Sequence, residues 1–355
     1  MTIDAIIGSA LTRYERESDR YLKLSARVAE ICRVEIVEGH AIRAQVTSRV
    51  KSPKSFEGKL RRLAKHQPEA VKSVDAVFDS VRDLAGVRVA TYDKELEDKV
   101  VATLQARFRG PSGAPLQPEK RDKRANDPSN FYRATHCDVF LLPEDLAGAY
   151  SNLLDTPCEV QVCSLMAHVW NEIEHDIRYK RLSAALSPAE HELLVSLGHL
   201  SRAGDGVVSR LLAATDARLR SRSGDFEDVY DFVARMRQWF PGADFATHAG
   251  QLFEELELLG LRAPKDLEAV LVSTADLEAR ARNELARLDA ALRAGGHTRH
   301  ALEPSSSDLL LVLLLPKLAR KIVENHPADR GIGGPPRIAW IAARYEEHPR
   351  LEANG

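Results

Sequence analysis

What this 355-residue chain lacks narrows its class before any motif is read. Its four cysteines, Cys32, Cys137, Cys158 and Cys163, form no CxxC pair. That argues against a zinc ribbon or a thioredoxin-type redox motif. No charge sign is in excess: 50 Lys and Arg against 52 Asp and Glu leave a formal net charge of -2. Nothing therefore draws the whole molecule to nucleic acid or an anionic membrane, and any basic site must be local. The longest strongly apolar run, LLLVLLL at 309–315, is far too short to span a bilayer. The N-terminal MTIDAIIGSALTRYERESDR turns charged too soon for a secretory leader. A cytoplasmic, reduced protein with no membrane partner is expected. No G-x4-GK[ST] phosphate loop occurs, so phosphate binding would fall to Arg and Lys side chains.

What remains is ordinary globular composition, with 29% charged and 44% hydrophobic residues, and enough length for two domains. The first part alternates in character. Residues 3–32 have helical spacing of apolar positions, 41–50 alternate as a strand does, and Pro53 fits the first turn of a helix running to about Lys65. LAGVRVATY (84–92) reads as a turn into a strand, with Gly86 letting the backbone turn, and 93–108 as a helix. Residues 109–132 read as loop, then ATHCDVFLL and EVQVC as strands joined to helices. This predicts an α+β fold, a mixed sheet flanked by helices. From residue 164 onward almost no strand signal remains. A long helix is predicted over 188–218, and a linker over 220–225 with a helix cap at Asp225. An all-helical second domain follows, in which Asp308 starts a helix that Pro316 kinks or divides. A last short helix follows GIGGPP. The expected domains are 1–222, with core motifs at 40–182, and 223–355.

Four segments carry chemistry. In CEVQVC, period 2 puts Glu159, Gln161 and Cys163 on one face and Cys158, Val160 and Val162 on the other. A carboxylate and an amide need partners if that first face is buried, and otherwise mark a wet edge strand. Along the following helix, His168, Glu172, His175 and Tyr179 form one polar stripe, and Trp170, Glu174 and Arg178 its neighbour. His-x3-Glu-x2-His can offer three metal ligands but is not the HExxH zinc motif, and a solvated helix face is the commoner use. Asp83, at the mouth of the LAGVRV strand, can share one Mg2+ with Glu159 if their strands are adjacent. Residues 41–70 hold a basic cluster that includes Arg49, Lys51, Lys59, Arg62 and Lys65, suited to clamping a polyphosphate. Arg62 and Lys65 fit a plain basic surface equally well. In RDKRANDPSNFYRATH, Tyr132 can stack on a base while Arg121 and His136 meet phosphate; alternatively Tyr132 is a loop anchor.

Taken in order, these segments resemble the synthetase domain of the RelA/SpoT family of alarmone synthetases. SRVKSPKSFEGKL is similar to its R-x-K-x3-S-x3-K element and DLAGVRV to D-x-x-G-x-R. RDKRANDPSNFYRATH resembles its K-D-Y-I…N-G-Y-x-S-x-H segment, and EVQVCSLMAHVWNEIEHDIRYK its E-I-Q-I-R-T…W-A-x-x-E-H…Y-K segment. The resemblance implies a nucleotidyltransferase-like fold and a pyrophosphokinase. Such an enzyme moves the β,γ-pyrophosphate of ATP to the 3'-hydroxyl of GDP or GTP, giving (p)ppGpp and AMP. Carried over by position, Arg49 and Arg88 would flank adenine, and Lys51, Ser55 and Lys59 would hold the ATP phosphates. Asp83 and Glu159 would hold Mg2+, and Glu159 would take the hydroxyl proton. Tyr132 would stack on the acceptor base, with Arg121, Asn130, His136, Gln161 and Glu174 around it.

The departures keep other acceptors open. Cys163 stands where the family has Arg, which removes a cation from the acceptor side, Phe131 replaces a common Gly, and Lys123 and Arg124 replace Tyr-Ile. Toxic members pyrophosphorylate the 3' CCA end of tRNA, to which the extra basic residues would suit; others make adenine-based alarmones. A catalytically degenerate nucleotide- or RNA-binding module is the third reading, against which stands the pair Asp83 and Glu159. No HD-type hydrolase signature is seen upstream, so degradation of alarmones is not expected. Nor is a regulatory tail of the ribosome-bound kind evident. The C-terminal helical region is expected to serve regulation, homo-oligomerisation or binding of a regulatory protein.

Overall fold

A computed structural model describes residues 2–179, 186–271, 273, 275–297, 300–327 and 335–347. The chain forms two compact units: Met1–Ile36 with Arg43–Leu211, and Val37–Ile42 with Leu212–Gly355. No described helix is long and apolar enough to cross a membrane.

The first unit opens with α1 (Ile3–Arg16) and α2 (Ser18–Cys32). The sequence reads these as one helix because both bury the same apolar period. Glu17 nevertheless leaves helical geometry (φ -96°, ψ 4°) and caps α1, its N–H reaching the Arg13 carbonyl. Then come β1 (Ala44–Val50), α3 (Pro53–His66), α4 (Val74–Ser80), β2 (Ala85–Thr91) and α5 (Glu97–Arg107). β3 (Glu119–Asp122), β4 (Arg133–Val139), β5 (Cys158–Ser164), α6 (Leu165–Tyr179) and α7 (Pro188–Arg220) complete the described elements used below. The sheet is mixed, with order β1-β2-β5-β4-β3; β2 and β5 run parallel and the other pairs antiparallel. β3 lies in a stretch the sequence reads as loop. It is an edge strand of four exposed residues, EKRD, so no buried face imposes an alternation that a reader could see.

Register decides what the sheet presents. On one face lie Val87, Val160 and Cys137, then Val89 and Val162, all buried. α2 packs on β1 and β2 and buries Leu24, Val28 and Cys32. On the other face, Arg49, Gly86, Glu159 and Asp138 form one row across four strands. Thr47, Arg88, Gln161, His136 and Glu119 form the next. The polar face of CEVQVC is therefore not the wet side of an edge strand. It is the centre of a sheet, two strands in from either side.

The second unit is helical: α8 (Val229–Met236), α9 (Ala249–Leu258), α10 (Pro264–Val270), α11 (Leu277–Ala294), α12 (Asp308–Asn325) and α13 (Arg337–Glu346). Leu309–Leu311, Leu314 and Leu315 form its core with Phe232, Phe240, Phe245, Leu285 and Ile341. Two expectations are corrected here. Pro316 does not divide the Leu-rich helix, because α12 continues through it to Asn325. The ring points to the exposed side, and burial of Leu315 and Leu318 on the other side holds the helix together. The cap after the linker is Asp228, which accepts from the Asp231 N–H, and not Asp225, whose backbone carbonyl accepts from Arg235. As expected, Asp308 begins its helix.

Candidate active site

The polar rows of the sheet floor a cavity of about 690 Å³. One wall comes from the β1–α3 junction. Ser52 caps α3, accepting from the Ser55 N–H at 3.2 Å, with Pro53 in the first turn. The helix then projects Ser55, Lys59 and Arg62 from one side, at i, i+4 and i+7. Arg49 runs over Gly86, where an added Cβ would stand 3.4 Å from two atoms of the arginine side chain. Gly86 thus does not turn the chain, as the sequence suggests; it lies within β2 and leaves room for Arg49.

Asp83 lies just ahead of β2. Lys51 Nζ stands 2.8 Å from one carboxylate oxygen and Lys59 Nζ 2.8 Å from the other. Burial pushes this carboxyl up, but the two ammonium groups outweigh it and hold it below the usual carboxylate range. Glu159 has both oxygens engaged. His136 Nδ1 is 2.9 Å from Oε1, and Gln161 Nε2 donates to Oε2 at 2.6 Å. Burial again raises the carboxyl, and the contacts from His136 and Gln161 reverse the shift. The other imidazole nitrogen, Nε2, is 2.6 Å from the Tyr132 hydroxyl. Tyr132, His136 and Glu159 are therefore one hydrogen-bonded chain. Burial and the Glu159 charge push the Tyr132 phenol up to about 12.

Most of the expected residues meet on this cavity: Arg49, Lys51, Ser55, Lys59, Asp83, Arg121, Tyr132, His136, Glu159, Gln161 and Glu174. Arg121 is paired with Glu119 at 2.6 Å, and Glu174 is buried at the wall. Two do not line it. Arg88 turns to Glu172 on α6 at 2.7 Å, and Asn130 folds back to accept from the Tyr132 N–H at 3.1 Å. Arg62 does line it, although its sequence context fits plain surface charge. The α6 stripes also change meaning. Glu172 is committed to Arg88, while Trp170 and Glu174 face inward. The Tyr179 side chain and Lys180 lie outside the described residues.

Asp138 escapes a motif reading entirely. It pairs across the strands with Glu159 and lines the cavity. Burial, and then the Glu159 charge, push its carboxyl up. Its only sequence signal is period 2 from His136. Cys163 is not on the wall. It is 1% exposed, packed with Ala134 and Ala167 against Tyr132, and burial pushes its thiol up to about 12. Lys123, exposed and lining the cavity, sits 4.5 Å over the Tyr132 ring, and Arg124 4.6 Å over the Phe131 ring.

Among the described residues no three His, Cys, Asp or Glu side chains gather around one point as a metal cage would require. Two carboxylates lining one cavity, Asp83 just ahead of β2 and Glu159 on the adjacent β5, fit a hard cation that completes its shell with substrate oxygens and water, as Mg2+ does. They do not fit zinc.

Residues 48–184 match a family model described as a region found in RelA / SpoT proteins. No curated protein sequence matches the chain. Among solved structures it is similar to a GTP pyrophosphokinase family protein from Streptococcus pneumoniae. That match has 20% identity and a TM-score of 0.44, and covers 56% of this chain and 92% of that one. It is also similar to small alarmone synthetase 1 from Bacillus subtilis, at 21% identity and a TM-score of 0.45, covering 58% and 98%. The same synthetase bound to its product pppGpp matches at 21% and 0.43, covering 57% and 97%. The similarity to RelA / SpoT proteins is thus carried by residues 48–184, less than half of the chain.

Proposed function

We propose that the RelA/SpoT region of this chain is a nucleotide 3'-pyrophosphokinase that transfers the β,γ-pyrophosphate of ATP to GDP or GTP. One observation carries the reading: a single cavity gathers phosphate-binding cations, paired carboxylates and an aromatic acceptor platform. Arg49, Lys51, Ser55 and Lys59 receive ATP on the α3 side. Lysine is a point charge on a flexible stem, so the two ammonium groups now on Asp83 can move to incoming phosphates. That exchange releases the Asp83 carboxylate. Asp83 and Glu159 would then hold Mg2+, which when bound neutralises charge building on the transferred group.

On the opposite side, Tyr132 offers a ring to the acceptor base once Lys123 swings off its face. Glu174, a carboxylate at the wall, accepts from the N1–H and N2–H2 donors of guanine, which adenine lacks. The acceptor 3'-oxygen attacks the β-phosphorus, the bond from β-phosphorus to the bridging oxygen of the α-phosphate breaks, and AMP leaves. Glu159 takes the hydroxyl proton. Its two oxygens each accept one hydrogen bond here and retain lone pairs to do so.

The test is acceptor choice. The protein is incubated with γ-labelled ATP, Mg2+ and either GDP, GTP, ATP or deacylated tRNA. Label on GDP or GTP is expected. Label on tRNA alone would overturn the acceptor assignment, and label on no acceptor would leave a nucleotide-binding module.

A further inference from the structure

We infer that Phe131 and Gly198 are positioning residues for the acceptor: a ring seated on α7 fixes where the neighbouring Tyr132 ring stands. The inference rests on the acceptor role proposed for Tyr132. The two aromatic side chains part company as the chain enters β4. Tyr132 lines the cavity, while Phe131 is turned away from it and is only 5% exposed. The Phe131 ring meets His199 of α7 nearly edge-on, with 4.9 Å between ring centres, and the Trp170 ring of α6 lies 6.0 Å away. Arg124 and Arg202 stand over it at 4.6 and 5.6 Å.

Glycine at position 198 is what admits this ring. A Cβ there would stand 2.3 Å from both Cγ and Cδ2 of Phe131, far inside the 3.5–4.0 Å or so at which carbon atoms rest. Glycine is also a poor choice for the interior of a 33-residue helix, so its use here is a local concession to the Phe131 ring. The polar contacts of the Tyr132 backbone reach only its own loop: Asn130 accepts from its N–H, and the Lys123 N–H donates to its carbonyl, both at 3.1 Å. Anchorage to the helices comes from the residues on either side. Phe131 is set on α7, and Asn171 of α6 donates to the Arg133 carbonyl at 3.1 Å. A stacking platform that is already fixed spares binding the cost of ordering it. Lys123 must leave the Tyr132 face before a base can stack there. Arg124 sits on the other ring and can stay, so the anchor persists while the platform is uncovered.

Transfer kinetics of the full-length protein with GDP as acceptor test this, alongside binding of a non-hydrolysable ATP analogue. Gly198→Ala displaces the ring and should raise the acceptor KM about tenfold, the size of one ordering cost. Affinity for the ATP analogue should hold. Adding Phe131→Leu to Gly198→Ala makes room for the new methyl group and should recover most of the loss, which a protein that had merely failed to fold would not. A wild-type acceptor KM in Gly198→Ala, equal losses for acceptor and ATP analogue, or no recovery in the double variant would each overturn the inference. A wild type that transfers to no guanine nucleotide would instead overturn the proposed function, and this inference with it.

Discussion

Asp83 in the first unit and Asp308 in the second are both carboxylates held down by cations, in opposite circumstances. Asp308 is 1% exposed and gripped by both arms of Arg337, at 2.7 and 2.5 Å, and by the Glu303 N–H at 2.8 Å. A planar guanidinium matched to a carboxylate is a fixed, bidentate partner. Asp83 faces a cavity, and its partners are two lysines, each reaching one oxygen. The second unit repeats its pattern elsewhere: Asp231 is paired with the buried Arg235, and Glu255 holds Asn325 and His326. The Asp308 and Glu255 knots tie one helix or loop to another, and Arg235 adds to its pair within α8 hydrogen bonds to the Gly224 and Asp225 carbonyls. At its cavity the first unit instead leaves Asp83 where a polyphosphate can compete for its lysines. Away from the cavity, Arg107 grips the buried Asp145 as Arg337 grips Asp308. Buried charge thus serves architecture when its partner is rigid and enclosed. It serves chemistry when its partner is exchangeable and the site is open.

That contrast yields graded predictions. The largest effect is expected at Glu159. Glu159→Gln keeps the shape and removes the base, so pyrophosphate transfer should fall by about 10² to 10⁴, with the melting temperature nearly unchanged. A parallel loss of thermal stability would place Glu159 among the structural charges. Arg337→Met should do the reverse. Leaving Asp308 buried without its partner should cost the second unit about 3–5 kcal/mol, read by denaturant unfolding, while the transfer rate under native conditions holds.

A third prediction concerns pH. Burial, only partly offset by Arg133, raises the Glu97 carboxyl to about 7. The folded state therefore holds a proton that the unfolded chain releases above about 4.3. Stability from this group is full below that value and is lost as pH rises through 7, so Glu97→Gln should stabilise the first unit by at most about 3 kcal/mol at pH 8 and by little at pH 4. Asp308 has the opposite sign. Burial raises it, but Arg337 and His248 hold it well below its ordinary value. Its contribution is complete above the unfolded value of about 3.9 and drains away as pH falls below it. Acid unfolding that begins in the first unit would contradict the pair. The smallest effect is expected for Tyr132→Ala, which should raise the acceptor KM in line with the about 1–3 kcal/mol of one stacking contact and leave ATP affinity unchanged. Equal loss of both would remove Tyr132 from the acceptor side.

Much of the first unit is legible because its elements announce themselves locally. Ser52-Pro53 starts a helix, LAGVRV and CEVQVC alternate, and the basic run at 49–59 has few acids in it. Less legible are features set by neighbours across the sheet. Asp138 matters through Glu159 on the next strand, and β3 exists only because β4 offers it an edge. Arg88 carries a suggestive position, yet Glu172 on α6 draws it off the cavity. Cys163 reads as a missing cation at the acceptor and proves to be packing beneath Tyr132, since period 2 gives a face but not what covers it.

The sequence alone determined most element types, the α+β character of the first part, the helical character of the second, and most of the chemically able side chains. These follow from periodicities of 2 and 3.6 and from capping, which act over a few residues. Tertiary structure decided the rest. It set Arg49, Gly86, Glu159 and Asp138 in one row and gave Asp83 its two lysines. Strand order and helix packing bring together residues far apart in the chain, and no local period encodes which of them meet.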